Sequence, residues 1–526
     1  MFSLIYSQKQ KKIFYFIILL IFSISFNQYY GYKGINPIDS FFSFNSGYDV
    51  LNGYYPFKDY WTITGPFIDF IQAFFFKILG VSWFSYVLHA SIINFIIVIS
   101  IFFILIKFKL NIHYCFFYSF LVSFLAYPSA GTPYVDHQSS YFSMIAVFCF
   151  ILALKTNLKS YWFFLPIILG IAFLTKQAPS GHIFLIILIL SIIHFLFNFQ
   201  IKKLLFVIFG LLSFISIFFI TIKITEIPFS LFFQQYILFP LSLGESRIEF
   251  LFPLEFKRII LRFKLIHLSL LILVIIIIKN IIKDFKYFIS NEFLIILALI
   301  GSSFALIVHQ LMTINGIYIF FIIPILCGFS HIYYLKYLED KNYIVYFLII
   351  LSISSTLHYG HKYIDKRDFL DLSTVSTSNS IDAKVLDKKL SGLQWITILY
   401  PDNPNKEIAQ LKEAIQIIKN DRSNKILVTD YQFISVILES YDYSPNKYWY
   451  EHHVYPTKNE RYFEVYKKFF IDHLIKNKIQ SIYIIKPLWG DKNVLESILN
   501  ESCVRKTSLT EILDKNLLLE CEALIK

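Results

Sequence analysis

Residues 203–223 read KLLFVIFGLLSFISIFFITIK. Between the two terminal lysines there is no charged side chain, and apolar residues fall on every face of a helix drawn through the run. A helix that is apolar all round has no polar side to offer water. About 20 such residues cross a bilayer. Runs of the same kind recur near 12–29, 83–106, 113–128, 138–154, 161–175, 180–198, 259–278, 292–312, 314–335 and 342–358, so the expectation is about eleven transmembrane helices. The composition agrees. Of 526 residues, 56% are hydrophobic and 19% are Phe, Tyr or Trp, well outside the usual range of soluble domains. The first apolar run is followed by further spans and by no small-residue cleavage site, so it reads as a retained helix. "PFIDFIQAFFFKILG", 66–80, carries Asp69, Gln72 and Lys77 and reads as an amphipathic helix lying in the membrane interface.

The net charge of +12 does not point to nucleic acid. The cations sit in short clusters between apolar runs, which is how membrane orientation is encoded. Lys9, Lys11 and Lys12 precede the first run. Alternate loops carry Lys107 and Lys109, Lys155 and Lys159, Lys202 and Lys203, Lys279, Lys283 and Lys286, and Lys336 and Lys341. With eleven spans all of these fall on one side, which the positive-inside rule makes cytoplasmic. The other side then receives 30–82, 128–137, 175–180, 224–258 and everything after 358.

The chain divides accordingly into 1–358, a transmembrane domain with long outer loops, and 359–526, which is charged and of ordinary composition. In the second part "KEIAQLKEAIQIIKN" has helical amphipathicity. "KILVTD" and "SIYIIKPLW" read as buried strands alternating with helices near 459–477 and 491–499, so a small α/β outer domain is expected. Cys115, Cys149 and Cys327 lie in apolar spans and read as packing residues. "SCVRKTS" and "LLLECEAL" read as strands joined by a turn at "TEILDKN", an arrangement that would bring Cys503 and Cys521 together outside the membrane; two buried free thiols are the alternative. No Cys pair has the spacing of a zinc or redox motif.

Polar side chains gather on the outward face. The first loop, "NPIDSFFSFNSGYDVLNGYYPFKDYWTITGPF" (36–67), contains Asp39, Asp49 and Asp59. "YPSAGTPYVDHQSSYF" contains Asp136 and His137, and "LTKQAPSG" contains Lys176 and Gln177. "LSLGESRIEFLFPLEFKR" contains Arg247, Lys257 and Arg258. His309 and Gln310 lie near the outer end of the ninth span.

Asp39 with "GYDVLNGYYPFKDY" and "GPFIDFIQAFFFKILG", together with "YVDHQ" and "LTKQ", resembles the large bacterial GT-C glycosyltransferases, relatives of the protein O-mannosyltransferases and the lipid A aminoarabinose transferase. The layout resembles theirs over roughly residues 10 to 340. The resemblance implies a GT-C-like fold in the bacterial inner membrane, with the N-terminus cytoplasmic and the C-terminal domain periplasmic. It implies an inverting enzyme that moves a sugar from a polyprenyl-phosphate carrier to a glycan, lipid or protein acceptor. Where much of that family has an acidic pair, Asp39 is followed here by Ser40. No cofactor is expected, and nothing in the sequence supports a metal site.

The residue chemistry fits this independently. An acceptor hydroxyl is a poor nucleophile, so a placed carboxylate must take its proton. Asp39 is the candidate base, with Asp136 and His137 as catalytic partners; the bland alternative is that Asp39 caps a helix beginning at Ser40. The leaving group is a lipid phosphate, which cations stabilise. Lys176, Gln177, Arg247 and Arg258 are candidates, against snorkelling for Lys176 and interface anchoring for Arg258. Asp59 either binds acceptor or braces its loop. A transporter or flippase of lipid-linked glycans, or an O-antigen ligase or polymerase, are the competing functions. A transporter would show repeats and mid-membrane ionisable residues, and a ligase would place its basic loop late in the chain.

Overall fold

The computed structural model describes residues 7–251, 255–313, 319–338, 342–450, 454–488 and 494–519. The chain is a mostly helical, multi-pass membrane protein. Among the described residues eight helices are long and apolar enough to cross a bilayer. Helices occupy all eleven apolar runs, but those at Ile112–Leu125, Ser160–Thr175 and Ile322–Tyr337 are shorter than a straight crossing needs.

Burial sorts these helices. In Val135–Lys155, 83% of the apolar window is covered by protein, against 6% in Ile201–Thr225. The first is the central post of the bundle. The second is the run quoted above, and its apolar surface is left almost wholly uncovered by protein. It is held to the rest at Gly210, where an added Cβ would meet the Phe163 carbonyl oxygen at 2.0 Å. The two helices therefore touch backbone to backbone beside Pro166.

Several helix boundaries differ from the sequence reading, and one difference matters. The fourth helix begins at Val135, not near 138. Asp136 thus stands in a helix first turn, where a carboxylate is favoured by the helix dipole, rather than in a loop. The eighth runs Lys264–Lys283, because residues 257–261 form a separate wide turn. The segment 66–80, read as interfacial from its sequence, forms the helix Pro66–Leu79. It buries Asp69, Gln72 and Phe76 and leaves Phe74, Ile78 and Leu79 exposed.

The tail builds a four-stranded sheet from β1 (Lys425–Val428), β2 (Ser481–Ile485), β3 (Val504–Ser508) and β4 (Leu513–Leu518), in the order β1-β2-β4-β3. β1 and β2 are parallel, with Lys425 opposite Ser481. β4 runs antiparallel to both neighbours, with Leu517 opposite Ser481 and Arg505. β4 begins at Leu513, inside the stretch read as a turn, so the hairpin is tighter than expected. Cys503 is buried and disulfide-bonded; Cys521, its expected partner, lies outside the described residues.

The tail and the first loop share their cores. Phe41, Phe44 and Trp83 pack with Trp395, Phe433 and Tyr431. Trp61 and Phe239 pack with Trp449, Tyr455 and Tyr466. This seam positions the site described next.

Candidate functional site

A cavity of about 610 Å³ opens where the first loop, the 128–134 turn, the Lys176 corner, Arg247 and the tail meet. Asp39, Asp136, Lys176 and Arg247 all line it, with Thr313, Tyr134, Tyr448, Tyr450 and Trp61.

Asp39 does not cap a helix. It lies inside a single helical turn, Pro37–Ser40, whose N-cap is Asn36. Pro37 suits the first helical position, where no N–H is required. The next helix, Phe42–Leu51, begins without a side-chain cap. The Asp39 carboxylate is thereby released toward the cavity. Its Oδ1 accepts from the Tyr448 hydroxyl at 3.1 Å and the Tyr134 hydroxyl at 3.2 Å. The side chain keeps some solvent access through the cavity. Even so, burial pushes its pKa up to about 6; the two tyrosine bonds oppose the rise, and the Asp136 and Asp371 charges add to it.

Asp136 faces the same space differently. Its Oδ1 accepts from Lys176 Nζ at 2.6 Å and from His309 Nε2 at 2.9 Å. Nε2 must therefore carry the imidazole proton. Lys176 reaches it from the extended residue that joins helices Ser160–Thr175 and Gln177–Phe197. Its positive charge is thus already engaged by a buried carboxylate. Arg247, at the end of the helix Phe239–Arg247, lines the cavity with no ion-pair partner among the described residues.

The other sequence candidates lie outside the lining. His137 accepts from the Ser129 N–H at 3.3 Å and holds the turn before its helix. Gln177 Nε2 donates to the Ile63 and Tyr236 carbonyls at 2.6 and 2.8 Å, tying three loops together. Arg258 donates to the Leu311 carbonyl at 3.1 Å, near the end of the helix Asn291–Thr313. Asp59 accepts from the Tyr55 N–H at 2.8 Å and closes its own turn. Asp49 forms a buried ion pair with Lys447 of the tail at 2.9 Å.

Sequence reading missed Tyr134, Tyr448 and Tyr450, and named His309 without a role. Tyr134 stands two residues before Asp136. Tyr448 and Tyr450 belong to "YWY", an aromatic run in an otherwise polar tail, which was the available signal. Among the described residues no three His, Cys, Asp or Glu side chains assemble as a metal-binding set. Among the described residues the charged groups of the cavity are two carboxylates and two cations. Such a site can take a proton at one wall and hold an anion at another. No family model matches the chain, and no curated protein does.

Proposed function

We propose that the protein is an inverting, GT-C-like membrane glycosyltransferase that moves a sugar from a polyprenyl-phosphate donor to an acceptor on the outer face of a bacterial inner membrane. The observation that carries this is the Asp39 carboxylate, with a pKa raised to about 6, opening on the cavity that also presents Arg247 and Lys176. A base poised near the working pH is the one that serves proton abstraction best.

In this reading the acceptor oxygen attacks the anomeric carbon from the face opposite the phosphate. Its proton passes to Asp39. The bond between the anomeric carbon and the phosphate oxygen breaks, and the polyprenyl phosphate leaves with the electron pair. Direct displacement inverts the centre. Arg247 is the main cation for the departing phosphate, since its charge is not spent on a carboxylate. Lys176 is steered by Asp136 and adds to the field. Aromatic rings of Tyr448, Tyr450 and Trp61 supply faces for sugar rings. All eleven helical runs cross the membrane, the lysine-bearing ends are cytoplasmic, and the tail is periplasmic.

The test is to incubate membranes containing the full chain with radiolabelled polyprenyl-phosphate sugars. One label is expected to leave its carrier for an acceptor. With Asp39→Asn, which keeps size and loses basicity, transfer is expected to fall by at least ~10²-fold while the protein still folds. Equal transfer by both proteins at saturating donor and acceptor would sink the assignment. A label that crosses the membrane still attached to its carrier would favour the flippase.

A further inference from the structure

Part of the cavity wall comes from the tail, in the segment 441–450 that follows β1 and the short helix Ile434–Leu438. Three contacts with the first loop pin this segment. The Trp61 N–H donates to the Pro445 carbonyl at 2.6 Å. Lys447 lies 2.9 Å from Asp49. The Tyr441 ring stacks on Tyr54 with centroids 3.4 Å apart. Tyr448 follows Lys447 directly, so its hydroxyl is delivered to Asp39 by a fixed backbone. Tyr134, from the turn before the helix Val135–Lys155, donates to the same oxygen, Oδ1. Among the described residues no donor reaches Oδ2.

We propose that Tyr448 is a positioning residue: with Tyr134 it occupies Oδ1 of Asp39, stops the carboxylate from turning, and leaves Oδ2 as the oxygen that takes the acceptor's proton. This rests on the reading of Asp39 as the general base. A carboxylate with no fixed donors presents either oxygen, and its productive geometry is then only one of several. Two donors on one oxygen remove that freedom. Because hydroxyl donors favour the charged form, they also lower the pH at which the base is ready. Among the described residues the remaining charges toward Asp39 are Asp136 and Asp371, with Lys176 and Arg247 around the same cavity. None of them belongs to the 441–450 segment, so a change at Tyr448 leaves them in place.

Two measurements on the purified full chain test this. The first follows carbodiimide labelling of Asp39 by peptide mass spectrometry from acid to mildly alkaline pH, which reads its protonation directly and requires no turnover. The second is the pH profile of kcat/KM with the polyprenyl-phosphate sugar that the wild type consumes. Tyr448→Phe keeps the ring and removes the donor. Its labelling midpoint is expected to rise by about one pH unit. Transfer should then fall at every pH because the orientation is lost, and about fivefold further at pH 6 than at pH 8, where the carboxylate is ionised in both proteins. Tyr134→Phe is expected to do the same, and stands in if the Tyr448 variant does not fold. An unmoved midpoint, or a rate at pH 8 equal to that of the wild type, overturns the positioning role. A shifted midpoint in a protein that transfers no sugar keeps the positioning and removes the glycosyltransferase instead.

Discussion

At the scale of single residues, the two carboxylates of the cavity are set apart by their partners. Asp136 is held by a lysine and a histidine. Among the described residues Asp39 has only hydroxyl donors. In the proposed reaction Asp39 must be ionised to accept a proton, so kcat/KM should rise with pH through about 6 and level off above it. A profile that falls with rising pH over that range would assign an acid, not a base, to the limiting step. The Lys176–Asp136 pair makes a second expectation. Removing the cation leaves the buried Asp136 carboxylate with His309 as its remaining donor, and breaking such a buried pair typically costs about 3 kcal/mol. Lys176→Met should therefore lower thermal stability as well as raise the KM for the lipid donor more than that for the acceptor. Adding Asp136→Asn should restore the stability and leave donor binding weak. If the double variant binds donor normally, Lys176 serves only the fold. The meeting of Asp39, Asp136, Lys176 and Arg247 at one cavity was legible, because the chemistry sought in the sequence, proton transfer and phosphate binding, calls for those residue types on one face. Tyr448 was not, since it meets Asp39 across 409 residues of chain, and a pattern of residue types does not encode which distant segments touch.

At the scale of elements, the apolar runs were the readable part, because lipid demands a continuous hydrophobic stretch wherever a helix is to cross. The helix ends were less readable. The segment read from 113 to 128 ends at Leu125, where "AYPSAG" turns the chain. In the run read from 314, the described residues are helical from Ile322, and residues 314–318 lie outside the described residues. How the helices pack was not readable at all, since an all-round apolar helix carries no marked face. The small residues hold that information. At Gly210 the backbone of Ile201–Thr225 lies against Phe163 and Pro166, and at Gly170 the Phe214 ring fills the place of a side chain, 2.4 Å from an added Cβ. In lipid such close approach is a main source of helix association. Gly210→Val should part the two helices, at a cost of about 1–3 kcal/mol for overpacking. Thermal unfolding in detergent would register it. A melting temperature equal to that of the wild type would mean that this contact contributes nothing to the fold.

At the scale of the whole molecule, the reading of a bundle plus an attached outer domain describes the sequence better than the packing. The composition changes sharply near residue 358, yet the first loop and the tail bury Trp, Tyr and Phe side chains in common clusters. The polar centre of that seam is Lys447. Its ammonium lies 2.9 Å from Asp49 and 4.0 Å from Asp442, and it faces the rings of Tyr441 and Tyr60 at 5.0 and 5.6 Å. Lys447 and both carboxylates are almost wholly buried. Breaking a buried pair from one side is costly because the survivor keeps its charge without a partner. Lys447→Met leaves one such survivor, Asp49, while Asp442 keeps the Leu427 and Ser444 N–H donors, so a loss of about 3–5 kcal/mol is expected. The damage should concentrate at the seam. Backbone hydrogen exchange of residues 441–450 should quicken, while the helix Val135–Lys155, buried at the centre of the bundle, stays protected. Because Tyr448 is carried by the same segment, sugar transfer should decline along with that protection. Asp49→Leu added to Lys447→Met removes one stranded charge, so the pair should cost less than the two single changes summed. Costs that simply add, with unchanged exchange at 441–450, would show that Lys447 does not hold the tail to the loop, and that the aromatic clusters do so alone.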